Sequence, residues 1–266
     1  MLPPFRLCRP RNLTEALDVI GEEKVPYCGG TELLLAMRAG LHRPETLVDI
    51  KRLPELAGVT TDDNTIVLGA TERHADLAEH PLVCENLPML ASVEAAVGNA
   101  RVRAQGSIGG NLCFAEPKSD VATALVAYGG HVTLAGPSGR RTVAVEDFVA
   151  GPYFAEKEFD ELLVDIRIPI PAPGTRAVYL KYQITERPTV GVALLHDAIG
   201  GNCRLVVGAV GEVQTLWTFG DPSEIDPDVV AEELDPTPDL TGSERYKRHV
   251  AAVFVRRAID AMAVAA

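Results

Sequence analysis

The chain has 266 residues, of which 47% are hydrophobic and 23% are charged, and its formal net charge is −12. This composition is typical of a folded protein with a substantial core and excludes a wholly disordered chain. The negative charge disfavours nucleic acid and anionic membrane surfaces as partners, because both require a basic surface.

Helical and strand patterns alternate through the first 170 residues. Asn12 followed by Glu15 indicates a helix cap with a carboxylate three positions later. Helices are predicted over residues 14–22, 31–39, 87–97 and 120–128. Gly40 is placed to end the second of these helices. Strands are predicted over residues 25–28, 46–50, 65–69, 131–135 and 161–168.

The pattern changes after residues 169–174, whose sequence PIPAPG indicates a linker. Strands predicted over residues 178–184, 190–196 and 204–213 suggest a small antiparallel sheet. Thr241 and Glu244 form a capping-box pattern that predicts a C-terminal helix. Residues 205–244 carry ten Asp or Glu and no Lys or Arg. They are interpreted as a solvated acidic loop, with an interaction surface as the alternative.

Five cysteines occur, at positions 8, 28, 84, 113 and 203. Their odd number, wide spacing and lack of a CxxC pair predict neither a disulfide framework nor a zinc or iron–sulfur site. The six scattered histidines suggest no catalytic triad or metal site.

No apolar run reaches 18 residues, and the N-terminal residues lack the apolar core of a signal peptide. We therefore expect a cytoplasmic protein without a membrane span.

Two glycine motifs carry the chemical signal, CGGTEL at residues 28–33 and SIGGN at residues 107–111. Paired glycines allow positive φ and close approach of a ligand to the backbone. Successive N–H groups in such turns form an anion-binding concavity. Two such turns could hold a pyrophosphate from two sides, so a dinucleotide is the natural ligand. Taken singly, each glycine pair could be only a tight turn, and neither a Rossmann fingerprint nor a P-loop is present.

Longer motifs extend these two. CGGTELLLAMRAG is followed by LVDI, GSIGGNLCFAEPKSD leads into an apolar helix, and DELLVDIRIP and GSERYKRHVAAVFVRRAI come later. In this order the chain resembles, over nearly all its length, the FAD-binding subunit of the xanthine dehydrogenase/carbon monoxide dehydrogenase family. The resemblance implies an α+β fold. Its FAD-binding domain, of the vanillyl-alcohol-oxidase (PCMH) type, would have subdomains at about residues 1–55 and 56–170. A small C-terminal α/β domain of the carbon monoxide dehydrogenase flavoprotein type, with an antiparallel sheet and helices, would cover residues 171–266.

The resemblance also implies which residues contact FAD. Contacts from the first motif are Cys28, Gly29, Gly30, Thr31, Glu32 and Leu33. Contacts from the second motif and elsewhere are Ser107, Gly109, Gly110, Asn111, Val97, Gly98, Asp120, Leu163 and Lys181. Three of these have a structural alternative, since Asp120 could cap its helix, Leu163 could belong to the core and Lys181 could be a surface lysine.

Two cysteines depart from the family pattern. Cys28 stands where the carbon monoxide dehydrogenase branch usually has alanine, and Cys113 begins a Cys-Phe pair that replaces the commoner Ala-His. A thiol near a flavin could be redox-active, but an inert buried thiol is the simpler interpretation.

In function, the resemblance implies an electron-transfer subunit of a heterotrimeric molybdenum hydroxylase. A large partner would hold a molybdopterin-type molybdenum cofactor, and a small partner would hold two [2Fe–2S] clusters. FAD in this chain would pass electrons to an external acceptor, which could be NAD, oxygen, a quinone or a carrier protein. A dimer of heterotrimers would suit the usual symmetry. No catalytic acid or base is expected here. The alternatives are a stand-alone FAD-dependent oxidase or reductase of the same fold, and a flavin-free structural subunit of the complex.

Overall fold

The structure is a computed structural model and describes residues 1–264. The first segment forms a parallel three-stranded sheet in the order β1–β3–β2. Its elements are β1 (Arg6–Cys8), α1 (Leu13–Leu17), β2 (Lys24–Tyr27), α2 (Leu33–Ala39) and β3 (Thr46–Asp49). The predicted cap at Asn12 is confirmed, since its side chain accepts from the backbone N–H of Glu15 at 2.8 Å. Gly40 ends α2 with a φ of 76°, also as predicted.

The second segment forms an antiparallel five-stranded sheet covered by helices. The sheet order is β4–β5–β10–β6–β7. After the 3₁₀ turn at Pro54–Leu56, its elements are β4 (Val59–Asp62), β5 (Thr65–Gly69), α3 (His74–Glu79), α4 (Pro81–Asn86), α5 (Pro88–Ala95), α6 (Ala100–Gln105), α7 (Ile108–Phe114), α8 (Asp120–Ala127), β6 (His131–Gly136), β7 (Gly139–Ala144), α9 (Val145–Phe148), β8 (Val149–Gly151), β9 (Phe154–Ala155) and β10 (Leu162–Pro169). The side chains of alternate residues of β10 pack into two different hydrophobic cores. Leu163 packs with the helices of this segment, whereas Leu162 and Val164 pack against the first segment.

The third segment forms an antiparallel sheet in the order β11–β12–β13–β14. Its elements are β11 (Arg176–Gln183), β12 (Pro188–Asp197), β13 (Asn202–Gly208), β14 (Thr215–Phe219), α10 (Pro227–Glu233) and α11 (Glu244–Val264). β12 is buried on both faces because its side chains alternate. Ala193 and Leu195 join the core that contains α8, while Val192 and Leu194 join the core under α10 and α11.

The predicted α+β architecture with an antiparallel C-terminal sheet is confirmed. The predicted linker at residues 169–174 lies where β10 gives way to β11. The division into units at about residues 55 and 170 stays a prediction. Within residues 1–264, no helix has both the length and the apolar character needed to cross a membrane.

Two expectations for the C-terminal segment are wrong. The acidic stretch is not a loop, since it contains β14, the 3₁₀ turn Pro222–Glu224 and α10. Two of its carboxylates are caps: Asp221 caps the 3₁₀ turn, and Asp226 caps α10 by accepting from the backbone N–H of Asp228 at 2.9 Å. The cap of α11 is Ser243 instead of Thr241, because the Ser243 hydroxyl accepts from the backbone N–H of Tyr246 at 3.3 Å.

Candidate cofactor-binding cleft

A cleft of about 370 Å³ lies between the loop before α2 and the segments around α7 and α8. The tip of the β11–β12 hairpin, residues 186–188, forms part of its rim. Most of the predicted contact residues line it, namely Cys28, Gly29, Gly30, Thr31, Glu32, Leu33, Val97, Gly98, Ser107, Gly110, Asn111 and Asp120. The fold thus brings the two glycine motifs to one cleft.

The two motifs also touch directly. A Cβ added to Gly29 would lie 2.2 Å from the carbonyl oxygen of Gln105 and 2.8 Å from the Cα of Gly106. Glycine is therefore needed at position 29 because the two backbones approach so closely. Gly30 is needed for a different reason, its φ of 67°, which side chains other than glycine rarely allow.

The loop before α2 presents a row of free backbone N–H groups. Within the part of the chain that the structure describes, no protein group accepts a hydrogen bond from the N–H of residues 30–33. The first bonded amide of α2 is that of Leu34, which donates to the carbonyl of Gly30 at 3.1 Å. Free amides at the start of a helix favour an anion, through both hydrogen bonding and the local dipole.

The second motif is not a turn, and here the interpretation of paired glycine turns is corrected. Gly109 and Gly110 lie in the first turn of α7, whose cap Ser107 accepts from the N–H of Gly110 at 3.2 Å. The N–H of Gly109 donates to the carbonyl of Ala70 at 3.0 Å, and a Cβ on Gly109 would lie 2.6 Å from that oxygen. Gly109 therefore packs against Ala70, just after β5, and its amide is not free, while Gly110 lines the cleft.

The side chain of Asn111 is oriented by its neighbour Ser119. The Ser119 hydroxyl accepts from the backbone N–H of Ala122 at 3.1 Å and donates to the Oδ1 of Asn111 at 2.6 Å. Because Oδ1 is used in this way, the Nδ2 group of Asn111 remains available as a donor at the cleft. Asn111 is thus suited to an acceptor such as a phosphate oxygen.

Asp120 lines the cleft and is held by two residues of β11. Its carboxylate accepts from the hydroxyl of Tyr179 and from the Nζ of Lys181, the latter at 2.8 Å. Burial and the Asp120 carboxylate raise the pKa of Tyr179 well above its ordinary value, so this phenol stays a donor. Ser119, not Asp120, caps α8.

Lys181 and Leu163 are not among the residues that line the cleft. Lys181 supports the cleft from behind, because it also donates to the carbonyl of Ala96 at 3.1 Å, next to the wall at residues 97–98. Leu163 is 2% exposed and belongs to the core of the five-stranded sheet. Its position supports the alternative of a packing role.

Arg187 is a cleft residue that the sequence patterns do not single out. Its guanidinium donates to Glu32 at 3.0 Å and to Glu116, joining the hairpin tip to both sides of the cleft. These carboxylates lie 155 and 71 residues away along the chain. Partial burial raises the pKa of Glu32, and the charge of Arg187 offsets part of that rise.

The other lining residues that the sequence analysis did not assign are mostly neighbours of the motifs. They are Val25, Pro26, Leu35, His74, Val102, Cys113, Phe114, Glu116, Lys118, Ser119, Val121, Glu186 and Pro188. His74 is buried and pairs with buried Glu94, with 2.5 Å between Nδ1 and Oε2. Several of these lining residues lie within the sequence motif GSIGGNLCFAEPKSD, although the sequence analysis did not assign them a contact.

Neither cleft cysteine has the environment of a reactive thiol. Burial raises the pKa of Cys28, although Ser107 and Lys51 act in the opposite direction. Burial raises the pKa of Cys113 to about 11, with a smaller opposing effect of Lys157. Because the thiolate is the reactive form, both positions favour the interpretation of inert thiols.

Comparison with known proteins also indicates an FAD-binding protein. Residues 3–171 match the family described as the FAD binding domain in molybdopterin dehydrogenase. The chain is 32% identical over 281 residues to the carbon monoxide dehydrogenase medium chain of Hydrogenophaga pseudoflava, covering 98% of each protein. It is 28% identical over 284 residues to the glyceraldehyde dehydrogenase medium chain of Sulfolobus acidocaldarius, covering 99% of this chain and 100% of the relative.

A solved structure shows that the similarity extends to the fold. It is carbon monoxide dehydrogenase from Hydrogenophaga pseudoflava that lacks the Mo-pyranopterin moiety of its molybdenum cofactor. One of its chains matches with a TM-score of 0.91 and 30% sequence identity, covering 98% of the present chain and 97% of that chain.

Proposed function

Since this chain belongs to the family of FAD-binding medium subunits of molybdenum hydroxylases, we propose that it is the electron-transfer subunit of a heterotrimeric complex. It takes electrons from [2Fe–2S] clusters of a small partner and delivers them to an external acceptor. A large partner holds the molybdopterin-type molybdenum cofactor and oxidises the substrate. The acceptor is NAD, oxygen, a quinone or a carrier protein, and the complex is a dimer of heterotrimers.

The observation that carries this proposal is the row of free N–H groups at residues 30–33, residues that line the same cleft as the second glycine motif. A diphosphate offers the acceptors that these donors lack, and the Nδ2 group of Asn111 adds another donor. The absence of a side chain at Gly110 leaves room for close approach. The residues present therefore fit the diphosphate of FAD.

The remaining residues of the cleft bind the cofactor and orient it. Tyr179 and Lys181 fix the carboxylate of Asp120, which is then an acceptor at a set position for a ligand N–H or O–H group. Arg187 holds the hairpin tip over the cleft. FAD, when bound, supplies one- and two-electron redox chemistry, and the protein needs no catalytic acid or base of its own for this role.

Two further observations support the wider proposal. The relatives compared above are named as medium chains of dehydrogenases that differ in substrate, carbon monoxide in one case and glyceraldehyde in the other. A subunit common to both suits electron transfer better than substrate recognition. All five cysteines are free, which is usual in the reducing cytoplasm and supports a cytoplasmic location.

Purification of the tagged chain from its own organism tests the proposal. We expect two co-purifying subunits, identified by mass spectrometry, and FAD in an amount equal to this chain, measured by absorbance after denaturation. A flavin-containing protein that purifies alone and oxidises a substrate would favour the stand-alone enzyme. A complex that is colourless in the flavin region and takes up no added FAD would favour the structural subunit.

Arg187→Met should weaken FAD binding by about tenfold at low salt. The substitution removes the cation between Glu32 and Glu116, so two uncompensated carboxylates would then face the cofactor diphosphate. Fluorescence titration of the flavin-free protein at low and high salt measures the effect, which should shrink at high salt. Arg43→Met, outside the lining of the cleft, is the control. Equal affinity of the Arg187 variant and the parent at low salt would contradict this role.

A further inference from the structure

Lys118, Asp239 and Lys247 form a charge cluster beside the cleft. The Oδ2 atom of Asp239 lies 2.7 Å from the Nζ of Lys118 and 2.9 Å from the Nζ of Lys247. The Oδ1 atom accepts from the backbone N–H and the hydroxyl of Thr241, at 2.7 and 2.6 Å. The cluster thus links the loop before α8 to the acidic segment and to α11.

The carboxylate of this cluster is ionised and fully engaged. Burial would raise the pKa of Asp239, but hydrogen bonds from Lys118, Thr241 and Lys247 outweigh it and leave that pKa well below its ordinary value. Two ammonium groups therefore share one carboxylate, and the cluster has an excess of one positive charge. An excess charge near a low-dielectric interior attracts an anion.

The excess positive charge is available to a ligand at Lys118 and not at Lys247. Lys247 is 1% exposed, and it also donates to the carbonyl of Thr237 at 2.7 Å. The side chain of Lys118 is 20% exposed and lines the cleft. Within residues 1–264, Asp239 is the one protein acceptor within hydrogen-bonding distance of the Lys118 ammonium, so N–H donors remain for a ligand.

We propose that the Lys118 ammonium, anchored by Asp239, binds a phosphate group of a ligand held in the cleft. The inference rests on the proposed function and adds a contact from outside the glycine motifs. The phosphate can come from the FAD diphosphate or from a dinucleotide acceptor such as NAD+. It also gives part of the acidic segment a role, since Asp239 sets the position of a cation at the cofactor cleft.

Lys118→Met is the test, because Asp239 keeps its pairing with Lys247 and with Thr241 in this variant. FAD, riboflavin and NAD+ are titrated into the intact complex, which is freed of flavin for the first two probes. We expect FAD binding to weaken about tenfold at low salt and less at high salt. Riboflavin binding should not change, because riboflavin has no phosphate. Lys118→Arg should restore most of the FAD affinity, and Lys24→Met, an exposed site outside the cleft, should behave as the parent.

The outcomes separate the two phosphate sources. Weaker FAD binding with unchanged riboflavin binding supports a contact to the cofactor. Unchanged FAD binding with weaker NAD+ binding supports a contact to the acceptor. Unchanged binding of both, or an equal loss for riboflavin and FAD, overturns the inference. A parent complex that binds no FAD counts instead against the proposed function, and the inference then depends on the NAD+ result alone.

Discussion

Replacement of Gly110 by leucine is expected to abolish FAD binding while the protein stays folded. Gly110 is an exposed residue in the first turn of α7 and lines the cleft, so the new side chain would occupy the space of the cofactor. Apart from the chain neighbours and the backbone of α7, the described residues place only the Oγ of Ser107 within 4 Å of a new Cβ, at 2.9 Å, and this side-chain atom can shift. Affinity for FAD should fall at least ~100-fold, equivalent to ~2.7 kcal/mol.

Flavin absorbance of the purified variant and its thermal unfolding curve together measure this effect. Gly21→Leu is the matched control, because within residues 1–264 and apart from its chain neighbours no atom lies within 4 Å of a Cβ at that position, and Gly21 is outside the cleft. The control should retain flavin. A normal flavin content in the Gly110 variant would remove the basis for placing the cofactor against α7.

Gly29→Ala is expected to lower both the stability of the fold and the flavin content. The added methyl group would overlap the carbonyl oxygen of Gln105 at 2.2 Å, and a backbone atom cannot turn away as a side chain can. The loop before α2 must then move away from the segment before α7. This movement would shift the two sides of the cleft apart. Overpacking of this kind typically costs ~1–3 kcal/mol.

Urea unfolding of the flavin-free protein measures the loss of stability, and titration with FAD measures the loss of binding. Gly21→Ala, with open space around its Cβ, is the control and should unfold at the parental urea concentration. If Gly29→Ala matched the parent in both measurements, the close contact between the two glycine motifs could not be required for the cleft.

Much of the fold was predictable because its signals are local. The cap at Asn12, the glycine that ends α2 and the apolar strands of the C-terminal sheet each depend on residues a few positions apart. Local reasoning of the same kind predicts an anion site at the loop before α2, since a short glycine motif precedes an apolar helix.

The errors arose where distant residues decide the local structure. Glycines at positions 109 and 110 predict a turn, yet α7 forms there because Ser107 caps it and the carbonyl groups of Glu72 and Ala70, which follow β5, accept from its first two N–H groups. The acidic stretch predicts a solvated loop, but its carboxylates stabilise helix starts and hold Lys118. The two caps depend on neighbouring residues, whereas no local pattern indicates the distant pairing of Asp239 with Lys118.

The candidate site shows the same division between local and distant signals. Residues of the two motifs lie in the cleft as the family pattern suggests, with Gly109 as an exception. Arg187 could not be found in this way, since its meaning depends on carboxylates 155 and 71 residues away. Lys181 and Leu163 could be placed only once β11 and β10 were seen in their sheets, where one supports Asp120 and the other packs in the core.

The two-sided burial of β12 bears on how the protein can be divided. Ala193 and Leu195 complete the hydrophobic core around α8, although they come from the C-terminal sheet. A fragment that stopped at Pro169 would keep both glycine motifs but would uncover the apolar side of α8. Such a surface promotes self-association, so the shortest well-behaved fragment that still carries the cleft must also retain the C-terminal strands.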